Sequence, residues 1–196
     1  MRRRAPWLGM VLAPALFGHD AAAAAERDLA ATLYVAQVSS ESGWEYVMVN
    51  PIGADYVGSY LVVAALSDTY GRYHDGRLQL EAEGQVAYTF GDEHYWQFNV
   101  APVMARWWQR PWSRGFSTSE AFGLGLSYAT ELPEIEVELE TESKQLLVYW
   151  VAEVTAGPTD GPWALSLRLH HRSVAYGLFG RDGGMNALGM GLRWRF

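Results

Sequence analysis

Residues 77–90 read RLQLEAEGQVAYTF. Leu78, Leu80, Ala82, Gly84, Val86, Tyr88 and Phe90 share one parity, and Gln79, Glu81, Glu83 and Gln85 share the other. Successive side chains of a strand point to opposite faces, so a period of two held over this whole stretch predicts one continuous β-strand with an apolar and a polar side. Such a strand is longer than the roughly five or six residues usual in soluble sheets. It suits the tilted strand of about nine to eleven residues that crosses a membrane.

The end of the chain, NALGMGLRWRF, repeats the pattern, with Leu188, Met190, Leu192, Trp194 and Phe196 opposite Ala187, Gly189, Gly191, Arg193 and Arg195. Alternating segments near 29–39, 57–67, 94–106, 117–130, 144–155 and 163–173 bring the number of strands to eight. SDTYGRYHDG, GDEH, RPWSRG, AGPTDGP and GRDGG between them carry turn residues. Helical periodicity is absent, and the connection 40–56 has no assignable pattern. An even set of antiparallel strands with long and short connections in alternation predicts an all-β fold, an eight-stranded antiparallel transmembrane β-barrel.

A soluble barrel with its apolar face inward is the rival arrangement. The terminal LRWRF, an alternation of apolar, basic and aromatic residues ending in Phe196, favours the outer membrane. Trp96, Trp107, Trp108, Trp112, Trp150 and Trp163 near strand ends fit interfacial girdles. Arg168, Arg193, Arg195, Glu81 and Glu83 would then pair across a filled lumen, with Glu153 a further lumenal acid and His170 turned inward beside Arg168.

The composition agrees. Residues 1–25 read as an export signal, with Arg2, Arg3 and Arg4 ahead of an apolar run too short to span a membrane, followed by the alanines 21–25. Residues 26–196 form the barrel, placed in a bacterial outer membrane. The whole chain carries 15 basic and 22 acidic residues, and removing the leader makes it more acidic, which argues against nucleic acid as a partner. The absence of cysteine excludes disulfide scaffolds, thiolate metal sites and a cysteine nucleophile. No histidine spacing resembles a metal site and nothing implies a cofactor. The partner predicted is outer-membrane lipid, lipopolysaccharide in particular.

The seventh segment, LSLRLHHRS, carries the chemistry. Leu165, Leu167 and Leu169 continue on the same parity into His171 and Ser173, about 6.5–7 Å apart along a strand. Asn186, on the lipid-facing parity of the last strand, should enter beside them at the outer rim. An amide oxygen can accept the imidazole N–H and hold the tautomer that leaves the other nitrogen as base, so Ser173, His171 and Asn186 form a candidate nucleophile, base and orienting group. The bland alternative is that a lipid-facing strand simply turns polar where it leaves the hydrocarbon. Arg172 and Arg181 near the rim are candidate headgroup contacts. The acids Glu131, Glu134, Glu136, Glu138, Glu140 and Glu142 read as a solvated hairpin extension, and the glycines of GLGLSY as close packing.

At His171-Arg172-Ser173 the sequence resembles the lipid A 3-O-deacylase (PagL-like) family of outer-membrane barrels. The resemblance implies an active site on the outer wall of an eight-stranded barrel, with ester-linked acyl chains of lipid A as substrate. The family pattern continues with an asparagine where this chain has Val174, and its glutamate falls where this chain has Met185 next to Asn186; the nearest acid is Asp182. A non-enzymatic structural or surface-binding barrel is the alternative.

Overall fold

The computed structural model describes residues 28–41, 43–108, 115–140, 142–181 and 183–196. The expected leader 1–25, Trp112 and Asp182 lie outside the described residues. Eight strands follow in order: β1 (Asp28–Ser39), β2 (Tyr56–Tyr73), β3 (Leu78–Gly91), β4 (Tyr95–Trp108), β5 (Phe116–Ala129), β6 (Leu146–Pro158), β7 (Trp163–Ser173) and β8 (Gly184–Arg195). Each pairs antiparallel with the next, and β8 pairs with β1 to close the barrel. All eight segments expected from the alternation are strands.

The two faces settle the inside from the outside. Leu33, Val62, Val86, Phe98, Leu124, Leu165, Leu167 and Leu192 are exposed all round the wall, while Glu81, Glu83, Arg106, Glu153, Arg168 and Arg193 are buried within it. A continuous exposed apolar belt around a polar, filled interior is the arrangement of a lipid-embedded barrel, the inverse of a soluble one. Trp96, Trp107, Trp163 and Trp194 remain exposed on this outer surface. The molecule is an eight-stranded outer-membrane β-barrel.

The lumen holds a closed charge network. Arg106 donates to Glu81 at 2.8 Å and also pairs with Glu153. Arg168 reaches Glu83 at 2.8 Å and Glu153 at 2.9 Å, and Arg193 reaches Glu81 at 3.0 Å. Glu153 also accepts from the Ser166 hydroxyl at 2.6 Å. Three carboxylates thus face three guanidiniums, which is how so many charges survive burial. Above them Tyr34 bonds Gln85 and His170, and Tyr149 accepts from Gln85. His170 therefore meets a phenol rather than an acid, and Arg195 turns to the Gly161 carbonyl at 2.7 Å. Arg168, Arg193 and Glu153 occupy the lumenal places expected of them.

Two irregularities matter. In β4 the register shifts at Pro102–Val103, so Ala101 and Met104 both point inward. A bulge is where a proline, lacking its N–H, is tolerated in a strand. At Gly125 an added Cβ would stand 1.8 Å from the Val100 carbonyl oxygen, so this glycine of GLGLSY is indeed a close-packing residue.

The short turns 74–77 and 159–162 lie at one end, and the long connections 40–55, 130–145 and 174–183 at the other, which marks the latter as the extracellular end. Two of these long connections contain helix, against the expectation that none exists. α1 (Trp44–Val49) lies in the β1–β2 connection and α2 (Glu134–Glu140) in the β5–β6 connection. The acidic string is therefore no extended hairpin. The Glu134 backbone N–H donates to Glu93 at 2.8 Å, Ile135 packs against the lumenal apolar cluster, and Glu136 drops into the mouth against Arg172 at 3.3 Å. α2 caps the barrel. Burial raises the carboxyl pKa of Glu136 in spite of Arg172, and burial also raises that of Glu93.

Candidate active site

β7 carries Leu165, Leu167, Leu169, His171 and Ser173 along its outer face, and the ladder fixes what stands beside each. His171 lies opposite Trp150 of β6 and Asn186 of β8; Ser173 lies opposite Val148 and Gly184. One lateral row on the outer wall is thus Trp150, His171, Asn186. The imidazole Nδ1 is 2.7 Å from Asn186 Oδ1, and the Trp150 ring lies 4.6 Å from the imidazole at 31°.

The orientation of Asn186 is set independently, because its Nδ2 donates to the Glu41 carbonyl at 2.8 Å. Its Oδ1 can only accept, so Nδ1 carries the proton, and in the neutral ring Nε2 holds the lone pair. That is the tautomer a general base needs. The Ser173 hydroxyl accepts from the Ala175 N–H at 3.4 Å, and among the described residues no hydrogen bond joins it to His171. The structure therefore unites His171 with Asn186 and leaves Ser173 one rung away, on the same face.

All three line one cleft of about 190 Å³, with Glu140 from the end of α2, Arg181, Gly183 and Gly184. Arg181, one of the two arginines read as a headgroup contact, lines this cleft. The other, Arg172, is fully buried, bound to Glu136 and to the carbonyls of Lys144 and Gln145. It shares the parity of Arg168 and His170, so its side chain enters the lumen mouth, and the expectation of a headgroup contact is corrected. The amides after the serine are also partly committed, since Val174 N–H donates to the Gly183 carbonyl at 3.2 Å.

A second departure concerns His171 itself, which is only 8 % exposed and so belongs to a packed cluster. The β1–β2 connection folds down the outside of the barrel and covers it. Trp44 meets Trp150 edge to face at 5.4 Å, and Val47 and Ala54 pack on Leu169. Glu45, on the same flap, lies close enough to act on the imidazole electrostatically. Part of the flap's backbone is bonded within the flap, with Ser40 N–H bonded to the Asp55 carbonyl and Gly53 and Ala54 to that of Asn50. Such internal bonds lower the cost of laying irregular chain against a membrane wall. The flap's side chains Val49 and Ile52 are apolar and exposed.

Sequence reasoning missed Glu140, Glu45, Trp44 and Trp150. Glu140 was visible only as one of a row of like charges. Trp150 was read as a girdle residue, although it stands beside His171 under the flap.

Neither a protein-family model nor a curated protein sequence matches the chain. Solved structures do. The outer-membrane enzyme PagL is similar in fold at a TM-score of 0.58 and 10 % identity, over 84 % of this chain and 98 % of that one. A de novo designed transmembrane β-barrel gives 0.42 at 10 % identity over 86 % and 95 %, and OprG of Pseudomonas aeruginosa 0.41 at 9 % over 87 % and 96 %. At these identities the likeness is one of fold.

Proposed function

We propose that this barrel is a serine ester hydrolase that removes an ester-linked acyl chain from an outer-leaflet lipid, lipid A being the substrate to test first. The observation that carries this reading is the His171 Nδ1–Asn186 Oδ1 contact of 2.7 Å on the outer wall, in one cleft with Ser173. It leaves Nε2 as the basic nitrogen on the face where membrane lipid lies.

In the proposed reaction Ser173 Oγ attacks the ester carbonyl while His171 Nε2 takes the hydroxyl proton. The carbonyl oxygen becomes the oxyanion, and the Ala175 N–H, now directed at Oγ itself, is the backbone donor offered to it. Collapse expels the sugar alkoxide, which receives the proton from the imidazolium. Water, deprotonated by the same nitrogen, then cleaves the acyl-serine and frees the fatty acid. A rotation about the Ser173 side chain and a shift of the flap are needed to bring the hydroxyl, Nε2 and ester together. Arg181 at the cleft supports an anionic headgroup.

A second reading has its own support. Asn186 Nδ2 holds the Glu41 carbonyl, and Trp150 holds Trp44, so the His171–Asn186 pair also serves as a clasp for the flap of a non-enzymatic barrel. Mass spectrometry of lipid A separates the two. Membranes containing the wild-type protein should lose an ester-linked chain that membranes with folded Ser173→Ala retain. Identical lipid profiles, with both proteins folded, would leave the clasp as the only role.

A further inference from the structure

Two grooves run along the outer wall, one on each side of the proposed site. The first, about 340 Å³, lies between the β1–β2 flap and the wall, with Val47 and Met48 facing Leu167 and Leu169. The second, about 720 Å³, lies under the β7–β8 connection, where Leu178 and Phe179 overhang Leu124 and Val148. That connection turns outward directly after Ser173, through Ala175 and Tyr176 at φ of 49° and 54°, a left-handed conformation non-glycine residues seldom adopt.

Both grooves lie beside the cleft. Leu169 precedes His171 by one rung of the same face, and Val148 pairs across the ladder with Ser173. Trp150 stands between them, in ring contact with Trp44 of the first flap at 5.4 Å and with Phe122 of the second groove at 5.6 Å. Each groove is continuous with the exposed apolar belt that meets membrane lipid around the rest of the barrel. Their occupant therefore comes from the bilayer.

We infer that the ligand of this site is a lipid with at least two acyl chains, which straddles Trp150 with one chain in each groove and its ester region at Ser173. This rests on the hydrolase reading for the role of the serine, but the two-chain seat does not depend on turnover. A single-chain lipid would fill one groove and leave the other to annular lipid. The flaps make the difference between these grooves and the open wall, because each supplies an apolar roof opposite the strands.

The test uses full-length Ser173→Ala protein in vesicles of phosphatidylethanolamine and phosphatidylglycerol. They carry a trace of phosphatidylethanolamine with a photoactivatable diazirine on both chains. After illumination and digestion, one lipid should join a peptide from the β1–β2 flap to a peptide from the β7–β8 connection. Ala152→Phe, which fills the first groove, should reduce that bridged pair several-fold while single labels on Leu178 and Phe179 persist. Ala64→Phe, on the outer face of β2, should change neither. Labels spread evenly around the belt, or confined to one flap, would overturn the inference. A bridged pair in a protein whose wild type hydrolyses no acyl ester would keep the two-chain seat and refute the serine chemistry. Hydrolysis without a bridged pair would refute the seat.

Discussion

Replacing Glu153 by glutamine removes the carboxylate that bridges Arg106 and Arg168. Glu153 accepts from Arg106, Arg168 and Ser166 and is fully enclosed. The substitution leaves Arg106 with Glu81 and Arg168 with Glu83, so each cation keeps one partner, but the enclosed network carries an unbalanced positive charge. Removing one partner of a buried pair costs about 3–5 kcal/mol, because the remaining charge cannot return to water. The expected loss is therefore in that range, with the upper end softened by the surviving partners. Denaturant titration of the protein folded in phospholipid vesicles, followed by tryptophan fluorescence, measures it, with heat-modifiable migration as a check on folding. Adding Arg106→Met to Glu153→Gln restores the balance, leaving Arg193 with Glu81 and Arg168 with Glu83, and should recover part of the loss, so that the double variant costs less than the two singles together. A single-variant loss below about 1 kcal/mol, the level of an exposed pair, or strict additivity of the two changes, would refute the view that these charges form one enclosed network.

Other outcomes follow from the site and the caps. Ser173→Ala should abolish acyl-ester hydrolysis, and His171→Ala should lower it by about 10²–10⁴-fold, the usual contribution of a general base, as read by release of fatty acid from lipid A in vesicles; unchanged rates would remove both from the chemistry. Trp44→Ala should free the flap at a cost of at most about 3 kcal/mol, since the ring is only partly buried, and show as faster amide exchange at 44–49; unaltered exchange would mean that Trp150 does not hold it. The α2 cap should respond to pH. Glu93 and Glu136 have folded pKa values raised above the unfolded ones, so each favours the folded cap most below the ordinary value of 4.5 and loses that contribution as pH rises through the raised value. Amide protection of 134–140, corrected for intrinsic exchange, should rise from pH 7 toward 4.5, and Glu136→Gln should flatten the response. Protection that falls on acidification would show that the Arg172 ion pair dominates.

The barrel was legible because two physical periods coincide in it. Each strand must alternate lipid-facing and lumen-facing residues, and β3 and β8 do so without a break. Glu153 reads as lumenal only as a partner for one of the arginines; the same parity placed Arg168 inside, and Asn186 on the face of His171. It would also have placed Arg172 inside had it been applied there, one residue from His171. α2 escaped because Glu134, Glu136, Glu138 and Glu140 alternate with apolar residues, a pattern of period two that seven helical residues cannot outweigh. α1, at six residues, is too short to display any period. Its docking on the barrel depends on Trp44 meeting Trp150, a contact between distant segments that no local pattern encodes.

The lumenal network also bears on how the barrel assembles. Arg106–Glu81 and Arg168–Glu153 join adjacent strands, but Arg168–Glu83 spans 85 positions and Arg193–Glu81 spans 112. These last contacts exist only once β8 has met β1, so an open sheet carries charges it cannot settle and a closed one carries none. The belt rejects a strand that slips by one residue, since every side chain would change faces. A slip of two residues keeps the faces and passes that test. It moves each arginine a full rung from its carboxylate, and the interior then rejects what the membrane would have accepted. The charges at the centre act as a proofreader of register, exercised once, at closure.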